Sequence, residues 1–500
     1  MFKRNPILAT DSYKASHFRQ YPPGTQGLSS YMTARGTKEE GVTGWLYFGG
    51  QFFVQDVLSQ KVTQEHIEEA DAFFKCHGIE FNRAGWQLIV DSYGGQLPVV
   101  FSAVPEGTFL PFGVAAYRME VANDPDLFFL ISHLESLALS YTWYGSTVAT
   151  KGLYVKKAIL ENLLETSDEP YAGLDFKLHD FGFRGVIPNG GYIGGAAHLV
   201  NFKGTDTMEG MLGASQYYKA GFTDLGFSIP ASEHSTMTSW GRDHEYEAYK
   251  NMVDQYAKPG AIFACVIDSY DTFGALDMWA DDDNPEGKSL LDRVREAGAT
   301  VVLRPDSGHP VDMPVDVIRW LVNELSDEII FNKKGYIVLP KHVRVIQGDG
   351  IGPEEIVQIL KALKGYQISG DNIAFGMGGG LLQKVNRDTF KMAQKCSSRQ
   401  DDEGVWHDVV KDPKTDPTKK SKAGRVITVM DRTDRQIKTI TMDEYHEDVN
   451  SAGFDGTMRY ASLFYTMYDG TTWGSGVLNT NLNEFRYVRS NAREALERLM

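Results

Sequence analysis

Beyond residue 171 the chain keeps one rhythm, and that rhythm limits the folds open to it. Short apolar, strand-like runs recur at 226–229, 261–267, 300–303, 342–346 and 372–375, with segments of helical spacing such as 315–325 and 354–363 between them. Strands that alternate with helices imply a parallel sheet. Each run ends in a polar or glycine-rich cluster: SIPASEHS, IDSYD, RPDSG, QGDG and FGMGGG. Functional residue types that all follow their strands imply one active face at the carboxyl ends, the pattern of a (β/α) barrel. A doubly wound open sheet also alternates strand and helix, but its ligand residues gather near one switch point.

The flanks read differently. Residues 1–44 are polar, glycine-rich and aromatic, an extended arm rather than core. A helix is expected from Thr63, as N-cap, to His77 before Gly78, with Glu65 early and Lys75 late, as the helix dipole favours. Between 97 and 121 short β-like runs are broken by PEG and PFG, and a further helix is expected after Asp124 with Pro125 at its first position. Past 395 the rhythm stops: 411–425 (KDPKTDPTKKSKAGR) is a basic, proline-punctuated loop, 426–429 and 437–441 are β-like, and 491–500 is helical. The expected fold class is α/β. A (β/α) barrel-like catalytic domain at 171–395 is joined by a mixed α+β domain built from an N-terminal part, 1–170, and a C-terminal segment, 396–500, packing with it.

Composition narrows the function. A net charge of −16 argues against a duplex-binding protein, which needs a broad basic surface. Cys76, Cys265 and Cys396 are far apart, with neither zinc-ligand spacing nor a disulfide framework, which favours a reducing compartment. The N-terminal apolar run is too short for a signal peptide and no stretch reaches membrane-spanning length. A cytoplasmic protein without nucleic-acid or membrane partners is expected.

The strand-end clusters carry chemistry. In FSIPASEHS, His234 is an imidazole at the mouth of the expected site, where a pKa of about 6.5 suits proton or phosphoryl traffic. The glycines 376 and 378–380 follow a strand, let backbone amides approach a ligand closely, and open an expected helix whose N-terminus favours phosphate. They form neither a Walker loop nor a dinucleotide fingerprint. Lys384, Arg387, Lys391 and Lys395, spaced by three, four and four, would line one face of that helix. Arg304 and Asp306 in RPDSG, and Asp349 in QGDG, supply a guanidinium for phosphate and carboxylates for a ribose diol or a magnesium-bound phosphate. Phe181 could stack a flat heterocycle and Asp206 accept its amide hydrogen. Together these motifs favour a site for a phosphorylated sugar.

The motifs ATDSYK, PEG, KLHDFGFRG, HLVNFKGTDT, PASEHST, DSYD, RPDSG, RVIQGDG, IAFG with GGGLLQK, and KDP, in this order, closely resemble the nicotinamide phosphoribosyltransferase family, from about residue 7 to 425. The resemblance implies transfer of the phosphoribosyl group of 5-phosphoribosyl 1-diphosphate to nicotinamide, giving nicotinamide mononucleotide and diphosphate in NAD salvage. It implies that Phe181 and Tyr13 sandwich the base, Tyr13 coming from the second subunit of a homodimer, and that Asp206 binds the carboxamide. Arg304, Asp306, Gly348, Asp349, Gly378 and Gly379 would hold the ribose and its phosphate. Arg184, Arg35, Arg387, Lys395 and Lys411 would surround the diphosphate, several from across the interface. His234 would be phosphorylated by ATP, with Asp268 orienting it. Magnesium is expected with the diphosphate, with no protein ligand assigned. Ala393 departs from the serine of better-known members, and 187–191 differs from the usual polar loop.

Asp206 also bears on the choice of base. Facing it with the carboxylate of nicotinate costs about 4 kcal/mol at ~4 Å and an effective dielectric of ~20, roughly a thousandfold, so nicotinamide is the expected substrate. The alternatives are a nicotinate phosphoribosyltransferase, a barrel phosphosugar hydrolase or isomerase, which would need a water-activating metal or a general base, and a non-catalytic nucleotide-binding protein.

Overall fold

The computed structural model describes residues 5–284, 287–415, 420–452, 458–471, 477–478 and 484–500, so residues 416–419 of the basic loop lie outside it. The described chain divides into two compact units. The first comprises Met1–Thr150, Ala214–Ala220 and Asn386–Ala495, and the second Lys151–Gly213, Gly221–Val385 and Leu496–Met500.

The first unit is built on a seven-stranded sheet. Its order runs Trp406–Asp408, Met392–Gln400, Gly27–Ala34, Ala115–Val121, Val100–Ala103, Tyr465–Asp469 and Val477–Leu478, all antiparallel. Three N-terminal strands thus lie at the centre of one sheet, with two C-terminal strands on either side. Gly27–Ala34, expected as an extended arm, is instead a wholly buried central strand, because both its edges are paired and both its faces covered. The helix Gln64–His77 starts on Thr63, whose hydroxyl accepts the His66 amide, and ends on Gly78 at φ 77°, a left-handed turn that glycine adopts without strain. The next expected helix begins at Phe129 rather than at Pro125, which lies in a turn.

Glu106 is buried in this unit among aromatic rings. It accepts the Gly49 amide at 2.8 Å, the Gln51 amide at 2.6 Å and the Tyr218 hydroxyl at 2.8 Å.

The second unit is the barrel. Its strands are β1 (Leu178–Asp180), β2 (Gly204–Thr205), β3 (Ile262–Val266), β4 (Thr300–Arg304), β5 (Val343–Gln347) and β6 (Ile373–Met377). They form a parallel sheet in the order β2-β1-β6-β5-β4-β3. The stretch expected as a strand at 226–229 is a pair of bridges instead. Phe227 pairs with Gly204 beside β2, and Ala231 with Ala264 on β3, both in parallel sense. The two edges of the sheet therefore bond to the same short segment, which brings the barrel round. Helices Gly190–His198, Met208–Tyr218, Glu245–Tyr256, Thr272–Ala280, Asp312–Glu324 and Pro353–Gly365 fall between the staves. At the amino ends of β1 and β6, buried Lys177 donates to the carbonyls of Gly370, Asp371 and Ile373, and burial lowers its pKa to about 8. Among the described residues no helix is long and apolar enough to cross a membrane.

Burial pushes the Glu106 carboxyl up to about 7 from an ordinary 4.5, against the three donors that favour its charged form. A carboxyl whose folded pKa is raised contributes stability that is complete below pH 4.5 and lost as pH rises through 7. The stability difference between wild type and Glu106→Gln is expected to shrink by up to about 3 kcal/mol across that window. Urea unfolding at pH 4.5, 6 and 8 checks it; a pH-independent difference contradicts it.

Candidate active site

The carboxyl ends of the barrel strands gather one face of functional groups, as the rhythm of the sequence implies. Phe181 follows β1, Asp206 follows β2, and His234 and Asp268 follow the bridging segment and β3. Arg304 ends β4 with Asp306 just beyond, Gly348 and Asp349 follow β5, and Gly378 and Gly379 follow β6.

His234 opens a short helix, His234–Thr238, capped by Glu233. The imidazole thus sits on the first residue of a one-turn helix that precedes the longer helix Glu245–Tyr256. Nε2 of His234 lies 2.9 Å from Oδ1 of Asp268. Asp268 is 4% exposed and His234 44%, so a shielded carboxylate grips one nitrogen of an accessible ring. That hydrogen bond fixes the proton on Nε2 and leaves Nδ1 with its lone pair. Nδ1 stands 3.9 Å from Oδ2 of Asp306, beyond hydrogen-bond reach. Asp306 in turn accepts from Nη1 of Arg304 at 2.7 Å, and Arg304 reaches the Ser232 carbonyl at 3.4 Å. Ser232 is buried and accepts the Val266 amide at 2.9 Å, which anchors the residues leading into His234 to β3.

Phe181, like Ile229 and Ala374, packs against the cluster of Ala264, Val302 and Ile346 on strands β3, β4 and β5. Its ring lies so near Gly376 that a Cβ there would come within 2.0 Å of Cε2, and a Cβ on Gly348 within 3.1 Å. The glycines of FGMGGG and QGDG thus make room for a ring as well as for backbone approach. Asp206 is exposed, and its Oδ1 accepts the Ser228 hydroxyl. Arg184 is exposed in the turn Phe183–Gly185. Asp349 is exposed, its carbonyl held by Nε2 of Gln347 at 2.9 Å.

The glycine-rich turn opens only one turn of helix, Gly379–Leu382. The basic helical face expected at 384–395 is therefore absent. Asn386 and Thr389 close a turn, Lys391 takes φ 50°, and Lys395 lies in the strand Met392–Gln400.

Tyr13, Arg35, Arg387, Lys395 and Lys411 all belong to the first unit. Tyr13 is 57% exposed, its ring edge-on to His17 at 5.1 Å. Lys395 stands opposite Tyr31 in the sheet. Although much of its surface is open, its ammonium has a lowered pKa, first through lost hydration and then through the charges of Arg35, Lys14 and Lys411, against the pull of Glu135. Like charges crowded in this way await an anion. Nε of Arg35 donates to the Lys391 carbonyl at 3.1 Å, while Arg387 pairs with neighbouring Asp388 at 3.0 Å and stays exposed. Ala393 is buried in its strand.

Sequence reasoning overlooked Ser228 and Asp180. Both lie inside quoted motifs and beside residues that were singled out. Their signal was position alone: polar side chains one residue from a strand end on the active face.

Residues 176–449 match the model of the nicotinate phosphoribosyltransferase family, and residues 5–101 that of the nicotinamide phosphoribosyltransferase N-terminal domain. The chain is 47% identical over 442 residues to a nicotinamide phosphoribosyltransferase of Xanthomonas campestris pv. campestris, covering 88% of this chain and 91% of the relative. It is 31% identical over 461 residues to one of Mycoplasma genitalium, covering 85% and 96%. Among solved structures, a nicotinate-nucleotide pyrophosphorylase from Pyrococcus furiosus shares the fold, with TM-score 0.59 at 15% identity over 99% of this chain and 96% of that one. Human nicotinic acid phosphoribosyltransferase does so with TM-score 0.53 at 14% identity, over 99% and 94%.

Gly376→Ala is expected to cost about 1–3 kcal/mol of stability by driving the Phe181 ring from its seat. In a Phe181→Ala background the same change is expected to cost less than half as much. Thermal unfolding of the four proteins of this cycle checks it; equal costs in both backgrounds would exclude the ring as the cause.

Proposed function

This chain belongs to the nicotinate phosphoribosyltransferase family, and we propose that it transfers the phosphoribosyl group of 5-phosphoribosyl 1-diphosphate to nicotinamide, in the cytoplasm, for NAD salvage. The observation that carries the reading is the pairing of a ring seat, Phe181 over Gly376 and Gly348, with an acceptor-only carboxylate, Asp206, held by Ser228. A flat base that donates an amide hydrogen fits both.

Nicotinamide stacks on Phe181 and donates its carboxamide N–H to Asp206. Its ring nitrogen carries a free lone pair at neutral pH, so no general base is needed. The nitrogen bonds to C1 of the ribose as the bond from C1 to the diphosphate oxygen breaks, and the electron pair leaves with the diphosphate. Positive charge develops on the sugar and negative charge on the leaving group, so the work of the site is electrostatic. Arg304, Asp306, Gly348, Asp349, Gly378 and Gly379 hold the ribose and its phosphate, and Arg184 reaches the diphosphate. Arg35, Arg387, Lys395 and Lys411, with Tyr13, complete the site from a second copy in a homodimer; the crowded cations around Lys395 support that role. Among the described residues no cluster of three or more His, Cys, Asp or Glu side chains could hold a metal ion, so magnesium is assigned to the phosphate oxygens of the substrate.

ATP couples through His234. With Nε2 engaged by Asp268, Nδ1 is the nucleophile: it bonds to the γ-phosphorus of ATP, and ADP leaves with the electrons of the broken P–O bond. Hydrolysis of the phosphohistidine then draws the transfer towards nicotinamide mononucleotide.

Base choice tests the first part of the reading. Solvent around exposed Asp206 screens its repulsion of nicotinate, so a preference of about tenfold to a hundredfold in kcat/KM is expected, below the unscreened thousandfold. Asp206→Asn is expected to erase most of it. Diphosphate release with each base is the measurement, and equal use of both by the wild type sinks the assignment. His234→Ala is expected to lose stimulation by ATP while keeping uncoupled transfer; ATP stimulation retained in that variant rules out the phosphohistidine.

A further inference from the structure

Strand β1 ends on Asp180, a residue the chemistry above leaves unused. It is wholly buried. Its Oδ1 accepts the Gly182 amide at 2.8 Å, which fixes the turn that launches Phe181. Phe181 is held from the other side by its own amide, which donates to the Met377 carbonyl at 3.1 Å. Asp180 also reaches the neighbouring stave. It pairs with Thr205 across β1 and β2, and its carbonyl accepts the Asp206 amide at 2.9 Å.

The second carboxyl oxygen is the telling one. Oδ2 is enclosed without a well-formed hydrogen bond, and so is the hydroxyl of Thr207, which is itself wholly buried. Hydroxyl and carboxyl are neighbours, and the hydroxyl favours the charged form of Asp180 as a donor. Burial outweighs both donors and pushes the carboxyl up to about 6, with Asp206 adding to the rise. A half-satisfied buried carboxyl is costly, and an apolar side chain would fill the same space without that cost. The expense falls between the two residues proposed to meet the base.

We infer that Asp180 is a positioning residue of the base pocket, holding the Phe181 turn through Gly182 and the Asp206 loop through Thr207 so that ring and carboxylate meet one heterocycle. This rests on the reading that Phe181 and Asp206 bind nicotinamide. A residue with that task acts on the base alone. In the same reading the ribose phosphate is held by groups after β4, β5 and β6, of which only β6 borders β1.

Steady-state kinetics with both substrates varied separates this role from general support of the fold. Asp180→Asn keeps an acceptor for Gly182 and offers an amide to Thr207, so its KM for nicotinamide is expected within about threefold of wild type. Asp180→Ala keeps neither, and its KM for nicotinamide is expected to rise about tenfold or more, with the KM for phosphoribosyl diphosphate within about twofold. If Asp180→Ala does not fold, Thr207→Val carries the test. It removes the hydroxyl at nearly constant shape and is expected to raise the KM for nicotinamide alone by about threefold or more. A wild-type KM for nicotinamide in the alanine variant, or in the valine variant where alanine fails, overturns the inference, as does an equal rise in both KM values. Diphosphate release by the wild type is the control: its absence would defeat the assignment of the base instead.

Discussion

Two backbone bridges, Gly204 to Phe227 and Ala231 to Ala264, hold one stretch of chain against both edges of a parallel sheet. Each bridge is a pair of hydrogen bonds: the Phe227 amide to Lys203 and the Thr205 amide to Phe227 in the first, the Ala264 amide to Pro230 and the Ser232 amide to Ala264 in the second. An open parallel sheet would leave those edges unpaired and spread its strand ends along a line. Bringing them round sets Asp206 near Ser228, and His234 near both Asp268 and Asp306. Ser228, the partner of Asp206, and His234, the partner of Asp268, therefore share one connector. Its proline and its serines suit that post, because a stave only a few residues long must be pinned by side chains as well as by its ladder. Ser232 does this with its own hydroxyl, which accepts the Val266 amide.

Charge is divided as sharply as structure. A chain of net charge −16 gathers Lys14, Arg35, Lys395 and Lys411 in its first unit closely enough to lower the pKa of Lys395. The strand ends of the second unit offer carboxylates, with Arg304 already committed to Asp306. A leaving diphosphate gains charge as the bond to C1 breaks, so cations that repel one another beforehand are relieved most in the transition state.

What could be read from the residues followed the range of the interactions. The Thr63 cap and the Gly78 stop are local events and appear where composition places them. The strands at 262–266, 300–304, 343–347 and 373–377 carry enough apolar residues to declare themselves. Gly204–Thr205 is too short for any periodicity to reveal, and 27–34 reads as polar because buried Ser29, Ser30 and Thr33 sit in a strand covered on both sides. The spacing of Lys384, Arg387, Lys391 and Lys395 suits a helix, but nothing apolar repeats on the opposite face to bury it, and the chain turns into a strand instead. Most site residues were legible because their motifs are long. Asp180 and Ser228 were not, since what matters about them is which neighbour lies across a strand.

The grip of Asp268 on His234 decides what that imidazole can do. A general base must take a proton from its substrate, and the ring nitrogen of nicotinamide has none to give. A general acid would have to hand the leaving diphosphate a proton, which electrostatic stabilisation of the kind proposed makes unnecessary. What an imidazole with one nitrogen occupied retains is a directed lone pair on the other, here Nδ1, in a ring 44% open and 3.9 Å from Oδ2 of Asp306, whose other oxygen is taken by Arg304. In the proposed ATP coupling, a phosphoryl group on Nδ1 would leave the ring cationic at Nε2–H, and nearly buried Asp268 would lie against that charge. The carboxylate that fixes the tautomer would then also balance the charge. A shielded Asp268 and an exposed His234 make better sense for a group carried and then released than for a proton passed back and forth.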